Sequence, residues 1–191
     1  RVHQGYLEPH ACVVWIDDDQ RVQVWSADKG PHWLKRHMAE AAGIPEERVK
    51  LNPLLIGGDF GGKGSPMDAP LCYFLALNSK RPVRMVRDYV EEFGYSNPRH
   101  ASIVRLKSGV MLDGSIIALK AEITFDGGAY AGHKHAGYLP SAYHIAAVYH
   151  IPHARLDTYM IYSNNVPGGI MRGPGEVQAL FAMESHVDMI A

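Results

Sequence analysis

The chain has 191 residues, enough for one domain or two small ones, and its 47% hydrophobic and 20% charged content excludes disorder, collagen and coiled coil. A net charge of −1 leaves no basic surplus to hold a phosphate backbone, so no nucleic-acid partner is expected. The two cysteines, Cys12 and Cys72, cannot build a four-thiolate metal site or a secreted disulfide framework, and no apolar run approaches the ~20 residues of a membrane helix.

Residues 11–16 and 21–26, joined by Asp17-Asp18-Asp19-Gln20, read as a β-hairpin with a polar turn. Pro31, then Trp33, Leu34, Met38, Ala41, Ala42 and a closing Gly43, predict a helix with proline at its start and glycine past its end. Residues 49–56 read as a strand that Pro53 places at an edge or a bend. Next comes Gly57-Gly58-Asp59-Phe60-Gly61-Gly62-Lys63-Gly64, followed by an apolar stretch over 69–77 that reads as a helix. Residues 82–87 predict a short strand, and 102–107 with 115–124 predict a pair around Leu112-Asp113-Gly114. Two looser regions, 126–137 and 163–175, precede Glu176, after which Val177, Leu180, Phe181, Met183, Val187 and Ile190 recur at helical spacing. The expected fold is α+β, with mixed, largely antiparallel sheets and packed helices. The chain starts at Arg1 without a signal-peptide pattern and stops inside a predicted helix, so a piece of a longer polypeptide is expected.

The glycine segment is the most unusual. A strand, bare backbone and then a helix place several N–H groups together, and missing Cβ atoms let a ligand approach, which suits an anion or an oxo group. A nucleotide P-loop matches from Gly57 through Gly62-Lys63, but the next position needs a hydroxyl for Mg²⁺ and holds Gly64. The dinucleotide pattern G-x-G-x-x-G has no match. The plainest alternative is that the glycines only permit a tight turn.

Three segments in order, Trp25-Ser26-Ala27-Asp28-Lys29-Gly30-Pro31, Gly57 to Lys63, and Arg172-Gly173-Pro174-Gly175-Glu176-Val177-Gln178, give the chain a resemblance to the molybdenum-cofactor domain of the xanthine dehydrogenase/aldehyde oxidase family, the molybdenum hydroxylases. The resemblance covers essentially the whole chain. It implies hydroxylation of an electron-poor carbon, with oxygen from water, at a molybdenum held by a pyranopterin dithiolene, either molybdopterin or its cytosine dinucleotide. It also implies iron–sulfur centres and FAD on partner domains or subunits, a small-molecule substrate and the remainder of a large subunit, while the two cysteines fit a reducing, cytoplasmic setting. The protein's task is then orientation and electrostatics around the cofactor.

Carried onto this sequence, the resemblance makes Phe60 and Gly61 the loop residues whose N–H groups face the metal's oxygen ligands. Gly57, Gly58 and Gly62 bind the cofactor with them, Gly58 permitting close backbone approach to the pterin, and Arg172, Gly173, Gly175 and Gln178 border it. Arg172 competes with a surface arginine, Gln178 with a helix-face amide and Lys63 with a solvated or structural lysine. No side chain here is expected to ligate the metal directly.

The departures shape the substrate expectation. Members of the family usually carry a glutamine where this chain has Lys29, an amide that bonds the metal's apical oxo group; Lys29 can still donate there, or turn to solvent. Purine-oxidising members carry a glutamate where this chain has Gly64, and Pro140 stands near the place of a pocket arginine. Xanthine is therefore disfavoured, and an aldehyde or aromatic N-heterocycle is expected. Pro174 replaces an aromatic that stacks on substrate in many members, and the absence of cysteine over 163–178 sets aside the carbon monoxide dehydrogenase branch. The family's general-base glutamate lies beyond this segment, which by itself is expected to be inactive. The alternative from another class is a non-catalytic scaffold or assembly module that has lost the metal.

Eleven histidines invite a zinc reading, but His133 and His135 have no nearby carboxylate, and His144, His150 and His153 lack the H-E-x-x-H spacing. Asp17-Asp18-Asp19 lacks the glycine and distal glutamate of a calcium loop and reads as a polar turn.

Overall fold

The structure, a computed structural model, describes residues 2–130, 139–146 and 148–191, and divides into two compact units. In the first, Gln4–Ser96, strands β1 (Ala11–Ile16) and β2 (Val22–Ser26) form the predicted hairpin, with Val14 opposite Val24. Asp17 closes its turn by accepting from the Arg21 N–H at 2.8 Å and from Gln23 Nε2 at 2.7 Å, so the aspartate run is a polar turn. Strand β3 (Val49–Leu51) pairs with β2 in parallel and β4 (Val83–Val86) pairs with β1 antiparallel, giving the order β3-β2-β1-β4. β3 is shorter than the predicted 49–56: the Asn52 N–H still reaches Val24 O at 2.9 Å, and Pro53 has no N–H to continue the ladder.

Helix α1 (Pro31–Ala42) matches its predicted signals, with Gly43 left-handed at φ 65° as its C-cap. Helix α2 (Ala69–Ser79) follows the glycine segment. Val14, Val22 and Val24 alternate inward from the sheet, Leu34 and Met38 lie one turn apart on α1, and Cys72 and Ala76 do the same on α2, so the two periodicities close one core. The buried thiols of Cys12 and Cys72 lie 3.3 Å apart, both free. Helix α3 (Tyr89–Tyr95) is not anticipated by apolar spacing. A reciprocal cap starts it, with the Glu91 N–H donating to Asp88 and the Asp88 N–H donating to the Glu91 carboxylate.

In the second unit, Asn97–Ala191 together with Val2 and His3, strands β5 (Ser102–Val110) and β6 (Ile116–Gly128) pair antiparallel, and β7 (His153–Tyr162) adds to β6 in parallel. β6 runs past the predicted 115–124 to Gly128, so the start of the region expected to be loose from 126 is strand. His133 and His135 lie outside the described residues. A 3-10 segment, Leu139–Ala146, and helix α4 (Glu176–Ile190) cover the sheet, and Leu119, Ala121, Ile123 and Phe125 alternate inward against Ala142, Ile145, Ala179 and Met183.

The α+β expectation holds, with one refinement. Each sheet mixes an antiparallel hairpin with one parallel pair, because β3 and β7 each return after a connection carrying helix, α1 in one case and the 3-10 segment in the other. No helix among the described residues is long and apolar enough to cross a membrane.

Candidate functional site

The glycine loop leaves β3 and turns back before α2. Asp59 organises it: its carboxylate accepts from the Gly61 N–H at 2.9 Å and the Lys63 N–H at 2.6 Å, and its carbonyl accepts from the Gly62 N–H at 2.8 Å. The Gly57 N–H donates to Glu8 Oε2 at 2.8 Å. Thus Gly61, expected to aim its N–H at a metal's oxygens, gives it to Asp59, while the N–H groups of Gly58, Asp59 and Phe60 have no acceptor among the described residues. Phe60 is half exposed and left-handed at φ 48°, a conformation that costs a bulky residue about 1 kcal/mol or more.

The glycines serve the chain's own packing before any ligand. A Cβ on Gly57 would lie 2.6 Å from Glu8 Cβ, and one on Gly62 would lie 2.5 Å from the Tyr6 ring. The loop is therefore pressed onto the segment around Gln4, Tyr6 and Glu8. Lys63 is fully buried, with its ammonium 2.5 Å from Glu8 Oε2 and 4.9 Å from the Tyr6 ring centroid, so it is a structural lysine. Burial alone would raise the Glu8 carboxyl, but the bonds from Lys63 and the Gly57 N–H hold it below its ordinary value. A loop whose own carboxylate fills the N–H cluster and whose lysine is already paired has no room for nucleotide phosphates. The P-loop reading is unsupported.

Beneath the loop lies a buried network. Tyr6 donates to Glu92 Oε2 at 2.7 Å, His10 Nδ1 is 2.8 Å from Glu92 Oε1, and the His10 backbone N–H also donates to that oxygen. Glu92 is fully buried; desolvation would raise its carboxyl, yet the bonds from His10 and Tyr6 hold it down at about 2. Burial and the Glu92 bond push the Tyr6 phenol up, keeping it a donor.

Lys29 finds a partner within the chain. Its ammonium, with the side chain 43% exposed, sits 2.8 Å from Asp59 Oδ2.

The third motif is held by a residue that motif reading did not single out. Arg99 donates to the carbonyls of Arg172, at 2.7 Å, and Gly173, at 3.1 Å, and to Gln178 Oε1 at 3.2 Å. Gln178 in turn donates to His100 O at 3.1 Å, so both ends of its amide are used inside the protein. Burial pulls the Arg99 pKa down without displacing its charge at neutral pH. Arg172 itself is exposed, and its guanidinium has no partner among the described residues. Gly173 and Gly175 have φ of 69° and 80°, and with them the chain turns into α4, whose first turn presents backbone N–H groups. His144 Nδ1 lies 2.9 Å from Glu176 Oε1 there.

The donors left over are therefore backbone N–H groups at 58–60 in one unit, and a guanidinium and a helix start in the other. Such donors suit an anionic, oxygen-rich group and not a metal ion bound by side chains. Among the described residues no group of three His, Cys, Asp or Glu side chains could hold a metal. Asp59 and Arg99 escaped the sequence reading because their partners are found only by folding, Arg99 lying more than seventy residues from Arg172.

Residues 1–191 match the family model for the molybdopterin cofactor-binding domain. The chain is 30% identical over its whole length to the nicotinate dehydrogenase large molybdopterin subunit of Eubacterium barkeri, of which it spans 45%. It is 29% identical over 97% of its length to an aldehyde oxidoreductase of Megalodesulfovibrio gigas, of which it spans 20%. Among solved structures, aldehyde oxidoreductase from Desulfovibrio gigas superposes with a TM-score of 0.92 at 28% identity, covering all of this chain and 21% of that one. Quinoline 2-oxidoreductase from Pseudomonas putida 86 gives 0.91 at 25% identity, covering all of this chain and 25% of that one.

Proposed function

The chain belongs to the molybdopterin cofactor-binding domain family, and from that premise we propose that it supplies part of the cofactor site of a molybdenum hydroxylase large subunit acting on an aldehyde or an aromatic N-heterocycle. The observation that carries the reading is the set of unspent donors: the N–H groups of Gly58, Asp59 and Phe60, and the exposed Arg172 guanidinium at the start of α4. Each set, within its own unit, suits an anionic, oxygen-bearing part of such a cofactor. The bound cofactor supplies two-electron oxidation of an electron-poor carbon with oxygen drawn from water.

This chain's residues bind and orient. Asp59 shapes the Phe60–Gly61 turn, Gly57 and Gly62 let it seat on Glu8 and Tyr6, and Arg99 with Gln178 fixes the backbone that carries Arg172. Gly64 offers no carboxylate to a purine, so a site relying on this segment favours a less polar substrate. The names of the nicotinate, quinoline and aldehyde enzymes above support that substrate range. The remainder of a large subunit, iron–sulfur and flavin partners, and a cytoplasmic setting complete the proposal.

The test is molybdenum and pterin per chain in the full-length protein, followed by an aldehyde and heterocycle screen. Near-stoichiometric metal with turnover is the expected result. Metal near zero after cofactor-replete expression would favour a scaffold that keeps the fold without the chemistry.

A further inference from the structure

The residues at positions 29, 59 and 64 form one arrangement. The Lys29 N–H donates to Lys63 O at 2.9 Å, which starts its side chain beside the end of the glycine loop. The stem then passes over Gly64, where a Cβ would lie 3.2 Å from Lys29 Cε, tighter than a comfortable contact. Beyond that crossing the ammonium meets Asp59 Oδ2 at 2.8 Å, the same oxygen that accepts from the Gly61 N–H, while Oδ1 accepts from the Lys63 N–H.

Asp59 faces two demands. Its carboxylate must gather the N–H groups on its C-terminal side to hold Phe60 left-handed at φ 48°, with the donors at 58–60 unspent. A bare carboxylate only 18% exposed, next to donors meant for an anionic group, would also repel that group. Lys29 cancels the charge without competing for the donors, because an ammonium accepts nothing. Lysine fits the need for this reason: its long stem reaches past Gly64 to Asp59.

We propose that Asp59 and Lys29 are a positioning pair that locks the Phe60–Gly61 turn in its donor-presenting shape. The effect on the loop stands by itself; the effect on turnover rests on the cofactor reading above.

The experiment is hydrogen exchange read by mass spectrometry over peptides spanning residues 57–64 of the full-length holoprotein, beside metal content, kcat and KM. Asp59→Ala should speed exchange of the Gly61 and Lys63 amides by about tenfold or more, with other peptides unchanged. Lys29→Met, which keeps the stem and loses the charge, should speed it by about threefold. The double variant should be no faster than Asp59→Ala alone, since the two act as a unit. In turnover, kcat per bound molybdenum should fall with KM held; a general loss of stability would lower metal content and total activity together and leave kcat per metal unchanged. Unchanged amide protection in Asp59→Ala or additive effects in the double variant would each overturn the pair. Should Asp59→Ala fail to fold, Asp59→Asn keeps the volume and is read against the same expectations. Wild-type protein lacking molybdenum would sink the cofactor reading, while the exchange series would still decide the pair.

Discussion

The two motif-bearing turns are built with opposite polarity. In the glycine loop an anion, Asp59, collects backbone N–H groups; in the turn before α4 a cation, Arg99, collects the carbonyls of Arg172 and Gly173. Each charge saturates one kind of backbone group and fixes the turn's shape. In the first, donors remain at 58–60 because the carboxylate reaches only those C-terminal to it. In the second, the carbonyls are consumed, the Val177 N–H goes to Gly173 O at 3.4 Å, and the Glu176 and Gln178 N–H groups have no acceptor among the described residues. Each turn keeps donors to spare, by opposite means. The supports differ too: the first turn rests on a buried ionic network, the second on one partly buried guanidinium.

Glu92→Gln should have the largest effect, because it breaks the buried network under the glycine loop. Stability measured by denaturant should drop by about 3 kcal/mol. The same group gives a pH signature. Its folded carboxyl is held at about 2, below its ordinary 4.5, so its contribution is complete above the unfolded value and is lost as pH falls toward the folded one. Wild-type unfolding free energy should therefore decline by about 3 kcal/mol over that interval, and Glu92→Gln should flatten this part of the profile. A variant with the wild-type slope would move the acid sensitivity elsewhere.

Arg99→Leu comes next, with about 2 kcal/mol lost and faster exchange confined to the turn before α4. Arg99→Lys should not restore it, since one ammonium cannot span two carbonyls and the Gln178 amide. Equal loosening of both turns on losing Arg99 would contradict their separate construction.

Phe60 sharpens the comparison at a smaller scale. Phe60→Gly should gain about 1 kcal/mol by relieving φ 48°, visible as a higher denaturation midpoint. Phe60→Pro removes the N–H and forbids that φ, so turnover of the full-length enzyme should fall even with cofactor bound; unchanged turnover would count against placing this loop at the cofactor. Lys29→Gln should change global stability least, by under about 0.5 kcal/mol, because the pair is partly exposed; a drop of several kcal/mol would mean that Lys29 supports the core and not the loop.

Much of the fold was legible. Pro31 and Gly43 bracket α1, the alternation around Asp17 makes the hairpin, and the Val177-to-Ile190 spacing marks α4. α3 was missed because its signal is the Asp88–Glu91 cap and not an apolar face. β7 was missed because its ten residues are mostly exposed or half-buried, which blurs the alternation, and its partner lies across a long connection. At the site, the motifs around Phe60 and Arg172 were visible as residue strings, but what each side chain touches was not. Lys63 read equally well as solvated or structural until Glu8 and Tyr6 enclosed it, and Gln178 read as a free amide until Arg99 and His100 took both its ends.

By itself, the sequence determined the local conformations and the family, since proline, glycine, periodicity and short motifs act through bonds between near neighbours. Only the tertiary structure decided the electrostatics of the two turns. A hydrogen bond needs its partners within about 3 Å, and folding alone brings Lys29 to Asp59, Glu8 to Lys63 and Arg99 to Arg172.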